Sequence, residues 1–121
     1  MNKNDVQKRV LKDGKPLSLR LFSWDKKTDT FSSLESNLVV DFKGINGVTF
    51  NTGSGCTFNT GYGCTFDTGS YCTFDTRSGC TFETGYQCVV VRRDIFEVIK
   101  LKEGQKIKLN GYGVKGYKVI K

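Results

Sequence analysis

Over the middle of the chain, apolar and polar side chains alternate within a unit of eight residues. The unit reads Cys-Thr-Phe-(Asn/Asp/Glu)-Thr-Gly-x-x, so that Cys and Phe share one parity and the residue between them has the other. This period of two predicts a β-strand whose Cys and Phe face inward, while the Thr between them and the Asn after Phe face outward. Glycine-rich stretches such as Gly53-Ser54-Gly55 follow the strands, and glycine accepts the backbone angles that a corner needs.

The unit is repeated in tandem. Its cysteines are Cys56, Cys64, Cys72, Cys80 and Cys88, and its phenylalanines are Phe50, Phe58, Phe66, Phe74 and Phe82. The sixth position of the unit is glycine, which gives a glycine column along the repeat, and Arg77 is the one residue that interrupts it. The repeat continues less regularly beyond both ends. Upstream, Val48 occupies the Cys position and Phe42 the Phe position, and downstream Val90 occupies the Phe position. Atypical end units are expected of a repeat array.

Strands this short cannot bury a face alone, but parallel stacking of the units buries Phe on Phe and Cys on Cys. The chain is therefore predicted to be an all-β protein with a parallel β-solenoid over residues 40–95. Short antiparallel β caps are expected at residues 1–39 and 96–121, within one structural domain.

Both flanks have the signals of short β-hairpins. Lys12-Asp13-Gly14-Lys15 and the segment 24–29 predict two turns in the N-terminal cap, with a strand over 17–22 between them. In the C-terminal cap, Glu103-Gly104 predicts a hairpin between strands 96–101 and 106–109. Residues 114–120 are expected to add one more strand.

The charges of the outward column bear on the number of units in one coil. That column reads Asn51, Asn59, Asp67, Asp75 and Glu83. With two units per coil, Asp67 would lie one strand spacing from Glu83, about 4.8 Å away, as an unfavourable like-charge pair. With three units no carboxylates stack, and Tyr62 would stack near Tyr86. A three-sided coil of 24 residues is therefore favoured over a flat two-sided coil of 16.

Composition restricts the chemistry. The 121 residues include no histidine, which excludes Ser-His-Asp and Cys-His nucleophiles and every histidine-containing zinc site. The cysteines lack the spacing of roughly two to four residues that zinc ligand pairs have, and inward thiols among phenylalanines are expected to be unreactive core residues with a raised pKa. We therefore expect no catalytic residue, no metal, no cofactor and no enzymatic activity.

The same sequence predicts a cytoplasmic location. No apolar run approaches the roughly 18–20 residues of a membrane span, and the N-terminal residues have no signal-peptide core. An odd number of cysteines without a signal peptide argues against a disulfide framework. A soluble protein with reduced thiols and no membrane partner is the expectation.

Positive charge is concentrated near the C-terminus. Residues 89–121 have nine basic and three acidic side chains, which account for +6 of the formal net charge of +7. The predicted hairpin places four lysines on one face, which predicts contact with phosphates or with an acidic protein surface. The complete candidate partner-binding face is Arg92, Arg93, Lys100, Lys102, Lys106, Lys108, Lys115 and Lys118. Exposed strand lysines also block edge pairing, and the alternative contact is then the set of corner tyrosines Tyr62, Tyr71 and Tyr86.

The tandem units, followed by Cys88-Val89-Val90-Val91-Arg92-Arg93-Asp94-Ile95-Phe96-Glu97-Val98-Ile99, resemble small uncharacterised proteins of bacteriophages and prophages. The repeat is also similar, at a distance, to pentapeptide-repeat solenoids, although its period is eight and not five. The phage resemblance implies an accessory protein in the host cytoplasm that binds and blocks a host enzyme or defence system. Pentapeptide-like solenoids that mimic DNA are acidic, so the net charge of +7 argues against DNA mimicry.

Three functions are open on this basis. The leading hypothesis is a non-catalytic phage-encoded binding protein, an inhibitor of anti-CRISPR or anti-restriction type, whose partner is a host protein or ribonucleoprotein. The first alternative is a nucleic-acid-binding module that uses the basic C-terminal face. The second alternative is a structural component of the virion.

Overall fold

The computed structural model describes residues 1–120, in which one short helix, one 3₁₀ turn and fourteen β-strands occur. Helix α1 spans Lys3–Gln7 and the 3₁₀ turn spans Leu19–Leu21. The strands are β1 Val10–Lys12, β2 Lys15–Pro16, β3 Ser23–Asp25, β4 Thr30–Ser32, β5 Leu38–Phe42, β6 Thr49–Asn51, β7 Thr57–Thr60, β8 Thr65–Asp67, β9 Thr73–Thr76, β10 Thr81–Glu83, β11 Cys88–Arg92, β12 Glu97–Leu101, β13 Lys106–Leu109 and β14 Tyr117–Val119. None of the helices in this part of the chain is long and apolar enough to cross a membrane.

The strands form two seven-stranded sheets that face each other. The first sheet has the order β2-β1-β5-β7-β9-β11-β12, and the second has the order β3-β4-β6-β8-β10-β13-β14. Consecutive repeat units alternate between the sheets, so Phe66 lies in register with Phe50 on one side and with Phe82 on the other. The parallel β-solenoid is confirmed, whereas the three-sided coil is wrong: each coil has two sides and sixteen residues.

The packing of the phenylalanine rings explains the two-sided coil. Phe66 stacks on Phe82 of its own sheet, with centroids 4.9 Å apart and planes 5° apart. It meets Phe74 of the facing sheet edge-on, at 4.8 Å and 66°. One ring per unit fills the narrow space between the two facing sheets, where Phe74 also meets Phe82 edge-on. Because protein interiors are close-packed, the flat coil is the one that this repeat can fill.

The two-sided coil contains the like-charge pair of Asp67 and Glu83 that the sequence analysis counted against it. Asp67 lies in register with Glu83, and Lys106 lies in register with Glu83 on its other side. Cross-strand pairs are worth about 0.2–1 kcal/mol each, and solvent screens charges on an outer face. Each aromatic pair contributes about 0.5–1.5 kcal/mol beyond its buried area. The ring packing therefore outweighs the carboxylate repulsion.

Side-chain hydrogen bonds join the corners of successive coils. The Ser36 hydroxyl accepts the backbone N–H of Ser54 at 3.1 Å, the Ser54 hydroxyl accepts that of Ser70 at 3.0 Å, and the Ser70 hydroxyl accepts that of Tyr86 at 3.1 Å. These bonds satisfy corner donors that no strand pairs, two of which are partly buried. One edge of the solenoid is thereby held by a serine ladder along its axis.

Close contact between corners explains the glycine column. A Cβ at Gly69 would collide with the Ser54 hydroxyl, and one at Gly61 would collide with the Asn46 side-chain oxygen, which accepts the Tyr62 N–H. Arg77 lies one coil beyond Gly61 and Tyr62, and Tyr62 has no short polar side chain that could accept the next N–H. The glycine column is therefore broken above a tyrosine and kept above serine or asparagine.

The N-terminal cap differs from the expectation in three ways. Residues 3–7 form α1, whose N-terminus has a capping box between Asn2 and Asp5, and part of the predicted strand over 17–22 is the 3₁₀ turn. Parallel pairing already begins at β4, where Phe31 lies in register with Phe50, before the predicted boundary at residue 40. The two predicted turns are present as the β1–β2 and β3–β4 connections.

The upstream frame also shifts. Val40, not Phe42, lies in register with Phe58, and Phe42 lies in register with Thr60. The corner after β5 is longer than the corners of the repeat, which changes the phase of the preceding strand by two residues. Val48 and Val90 are buried in the predicted Cys and Phe places.

The C-terminal hairpin is wrong, although its strands exist. β12 pairs with β11 in the first sheet, and β13 pairs with β10 in the second, so residues 102–105 cross from one sheet to the other. This arrangement lets Ile99 cover one side of the core end while Ile107 and Leu109 cover the other. A flat hairpin would have covered one sheet only. The last predicted strand is confirmed as β14, which pairs with β13; Lys121 lies outside the described residues.

Candidate binding surfaces

The cysteines lie in two internal columns, one with Cys56, Cys72 and Cys88 and the other with Cys64 and Cys80, and each is 0–1% exposed. Their thiols donate to corner carbonyls of the preceding coil, as in the contacts of Cys80 with the Gly61 carbonyl at 3.6 Å and of Cys88 with the Gly69 carbonyl at 3.5 Å. The side chains therefore fill space and tie a strand to the corner below it. Within residues 1–120, no three His, Cys, Asp or Glu side chains converge as a metal site.

Neighbouring thiols change each other's ionisation. The hydrogen bond from Cys72 lowers the pKa of Cys56, against the raising effect of burial, and the pKa of Cys72 is raised by the same contact and by burial. Cys64 and Cys80 form an equivalent pair, in which the pKa of Cys80 is raised. The raised pKa that we expected of the buried thiols is present at Cys72 and Cys80. Both pairs are shielded from solvent, and this limits their reactivity.

Replacement of Cys72 by alanine should be tolerated, with a loss of unfolding free energy of about 1 kcal/mol or less, because it removes one buried sulfur and not a ring. Urea unfolding monitored by tryptophan fluorescence measures the change. Intact-mass spectrometry of the wild type should show five free thiols. A loss as large as that of a phenylalanine-to-alanine variant would show that the thiol ladder itself stabilises the solenoid.

Arg92 does not belong to the exposed basic face, because its side chain is completely buried. It lies in register with Thr76, the second threonine of its unit, whose side chain is also buried. Its guanidinium donates to both carboxylate oxygens of Asp94, at 2.7 and 3.2 Å, and to the Val114 carbonyl at 2.6 Å. Glu97 lies 3.7 Å from the same guanidinium. Arg92 therefore anchors the loop between β13 and β14 to the end of the solenoid.

This network changes the ionisation of Asp94. Burial would raise the pKa of the Asp94 carboxyl, but the hydrogen bonds and charge of Arg92 outweigh burial and hold that pKa below its ordinary value of 3.8. Asp94 is therefore ionised together with Arg92 at neutral pH. Two of the three acidic residues within 89–121 are thus directed at a buried arginine.

The predicted lysine face is divided between two surfaces. Lys100 lies on the outer face of the first sheet, in register with Val89. Lys106 and Lys108 lie on the outer face of the second sheet, where Lys108 is in register with Lys118. Lys102 and Lys115 are exposed in connections. The chain therefore presents a cluster of Lys106, Lys108 and Lys118 and not one continuous basic face, which removes the geometric basis of the nucleic-acid interface as predicted.

Two of the corner tyrosines come together. Tyr71 and Tyr86 meet at the serine-ladder edge with ring centroids 5.1 Å apart, whereas Tyr62 lies at the opposite edge. The predicted stacking of Tyr62 near Tyr86 is wrong because it assumed a three-sided coil. All three rings are about half exposed.

The sequence analysis missed an exposed apolar surface on the C-terminal cap. Its members come from β14 and the loop before β14, and Tyr112 is 82% exposed. We call this the C-terminal apolar surface: Tyr112, Val114, Tyr117 and Val119. Tyr117 and Val119 lie in register with the buried Leu109 and Ile107, but they extend beyond the core. The alternation of β14 was visible in the sequence, but the lack of a covering element was not.

The comparisons with known proteins give no functional assignment: no protein-family model, no curated protein and no solved structure matches this chain.

Proposed function

We propose that this protein is a non-catalytic binding protein that contacts a partner protein through its C-terminal cap. The observation that supports this is the C-terminal apolar surface, with Tyr112 82% exposed, beside exposed lysines. Protein interfaces combine an apolar, aromatic centre with a polar rim. The walls of the solenoid, in contrast, present short polar side chains such as Thr57 and Asn51, which offer little to select one partner.

The charge of the cap supports an acidic partner surface. The carboxylates of Asp94 and Glu97 are directed at the buried Arg92, which balances one of their two charges, so the exposed lysines of the cap still leave its surface positive. Charged rims of this kind mainly raise association rates and select complementary partners. In its sharpest form, which rests on the resemblance to phage proteins, the proposal is that the partner is a host enzyme or defence complex that is inhibited by the contact.

The apolar surface is tested with the double variant Tyr112→Ser, Val119→Thr. Both residues are exposed, and threonine keeps the β-branched shape that suits a strand, so the fold should be unaffected. We expect recovery of the partner from a bacterial lysate by the immobilised protein, quantified by mass spectrometry, to fall about tenfold or more, as for interface hot spots. The matched control is Tyr62→Ser at a distant corner, which should leave recovery unchanged.

The contribution of the lysines is tested separately. The double variant Lys106→Gln, Lys108→Gln changes the second-sheet cluster, and Lys100→Gln on the first sheet is its comparison. If the second-sheet cluster faces the partner, the double variant slows association and flattens its salt dependence, while Lys100→Gln has little effect. Surface-plasmon resonance with the recovered partner at low and moderate salt measures both. Retained recovery in the apolar double variant, together with loss in Tyr71→Ser or Tyr86→Ser, would overturn the proposal and assign the contact to the corner tyrosines.

A further inference from the structure

A groove on the outer face of the first sheet shares no residue with the C-terminal apolar surface. It has a volume of about 460 Å³ and is lined by Lys43, Gly44, Asn59, Thr60, Asp75, Arg77, Arg93 and Phe96. We propose that this groove binds a nucleotide, free or as part of a single-stranded nucleic acid. The phosphate lies on the cations and the base stacks on Phe96.

The ends of three strands of the first sheet bring cations to the groove. β5, β7, β9 and β11 end on the inward residues Phe42, Thr60, Thr76 and Arg92. Arg77 and Arg93 follow Thr76 and Arg92, which are in register, so the two arginines lie on neighbouring strand ends. Lys43 follows Phe42 in a turn that the Ile45 N–H closes on the Phe42 carbonyl, and from the end of β5 it lines the same groove as the arginines.

Two of these cations are free to bind a phosphate. Arg93 donates to the Asp75 carboxylate at 2.9 Å, which neutralises the one carboxylate in the lining. Lys43 and Arg77 make no ion pair within residues 1–120. Asp41 lies beside the groove, where its carboxylate accepts the backbone N–H of Lys43 at 3.2 Å. The lining therefore has three cations and one acidic group, a balance that favours an anion.

The corner at Tyr62 permits a side chain at position 77, but no contact in the described part of the chain requires a cation there. Arg77 stands where the repeat otherwise has glycine, and its exposed side chain makes no hydrogen bond in the described part of the chain. The repeat would be more regular with glycine at this position. A cation in this place adds charge to the groove and nothing to the packing.

Phe96 is unfavourable for the fold in two respects. Its ring is 81% exposed, and its φ of 56° lies in the left-handed region that bulky residues avoid. Strained backbone of this kind concentrates at functional sites. An exposed ring next to cations is the arrangement that binds single-stranded bases, because stacking on an aromatic side chain is available to every base.

Asn59 completes the site. Its half-buried side chain lines the groove, in register with Asp41 on one side and Asp75 on the other, and its amide has no hydrogen-bond partner within residues 1–120. An amide both donates and accepts, so it can bond to a base edge or a sugar hydroxyl. The groove thus offers separate contacts for the phosphate, the base and a polar group between them.

The test is fluorescence anisotropy with a labelled oligothymidylate of about twelve nucleotides, a length within the range covered by single-strand binding sites, and with unlabelled AMP and ATP as competitors. Phe96→Gly should weaken binding about fivefold to a hundredfold, although glycine suits the backbone at this position and the melting temperature should be equal or higher. Arg77→Gly with Lys43→Gln should lower the slope of log affinity against log salt by about 1.4, at about 0.7 per phosphate contact.

The control is Lys106→Gln, Lys108→Gln, which removes the same charge from the second sheet and should leave affinity within about twofold, because these lysines do not line the groove. Displacement by AMP or ATP identifies a free nucleotide as the ligand, and binding of the oligonucleotide alone identifies a strand. Absence of any binding at low salt overturns the inference, as does loss only in the lysine control. Neither result affects the protein–protein contact, which is tested by different residues.

Discussion

Replacement of Phe66 by alanine should lower the free energy of unfolding by about 3–5 kcal/mol. Phe66 is 1% exposed and lies between Phe50 and Phe82 of its own sheet. It also meets Phe58 and Phe74 of the facing sheet edge-on. The core is one ring thick on each side, and the hydrogen-bonded strands hold the facing sheets apart, so the cavity cannot collapse. Urea unfolding at neutral pH gives the value.

Phe66→Leu is the matched control, since it keeps most of the apolar volume and should cost about half as much or less. Cys72→Ala, which removes one atom from the same core, should cost less still. Equal unfolding midpoints for Phe66→Ala and the wild type would contradict the stacked core and with it the inward frame of the repeat.

Replacement of Arg92 by threonine should be comparably severe, at about 3–5 kcal/mol, because it leaves buried carboxylates without their cation. Threonine is the residue that the repeat has at this place, and it is accommodated at Thr60 and Thr76. The cost therefore reports the lost network with Asp94 and Glu97 and not a misfit in the strand. Urea unfolding measures it, and the adjacent Arg93→Thr, which removes an exposed ion pair, should cost about 1 kcal/mol or less.

The same network predicts a dependence on pH. The pKa of Asp94 is lowered from 3.8 in the folded state, so the unfolded state takes up the proton first as pH falls. The stabilisation by Asp94 is complete above that value and is lost as pH decreases through the lowered pKa. Arg92→Thr with Asp94→Asn should lose this acid sensitivity and recover part of the stability lost in Arg92→Thr alone. No recovery in the double variant would show that Arg92 acts through the loop carbonyls and not through the carboxylate.

The position of Arg92 could have been predicted from the repeat, while its partners could not. Arg92 follows Thr84 by one unit and Thr76 by two, so the frame places it inward; the Arg-Arg pair in a basic segment suggested exposure instead. The Val114 carbonyl lies 22 residues further along the chain. Contact over that separation depends on how the last loop folds back, which no local pattern encodes.

For the lysines of β12 and β13, exposure was predicted correctly but their arrangement on one face was not. The alternation of β12 and β13 correctly predicts that their lysines are exposed and that Ile99 and Ile107 are buried. Whether two such strands pair with each other or with separate sheets depends on which edges are open at the end of the solenoid. Two open edges with uncovered phenylalanines favour separate pairing, and this divides the predicted basic face.

The repeat was enough to predict the solenoid, the inward phenylalanines and cysteines, the corners and the two capped ends, because a period of two and a spacing of eight are local properties of the backbone. Four other features follow from long-range packing: the number of sides, the burial of Arg92, the separation of the lysines, and the groove that Lys43 and Arg77 line. Each of these depends on which distant strands become neighbours. The close packing of rings across the two sheets decides which strands become neighbours. The free energy of this packing cannot be read from the order of polar and apolar residues along one strand.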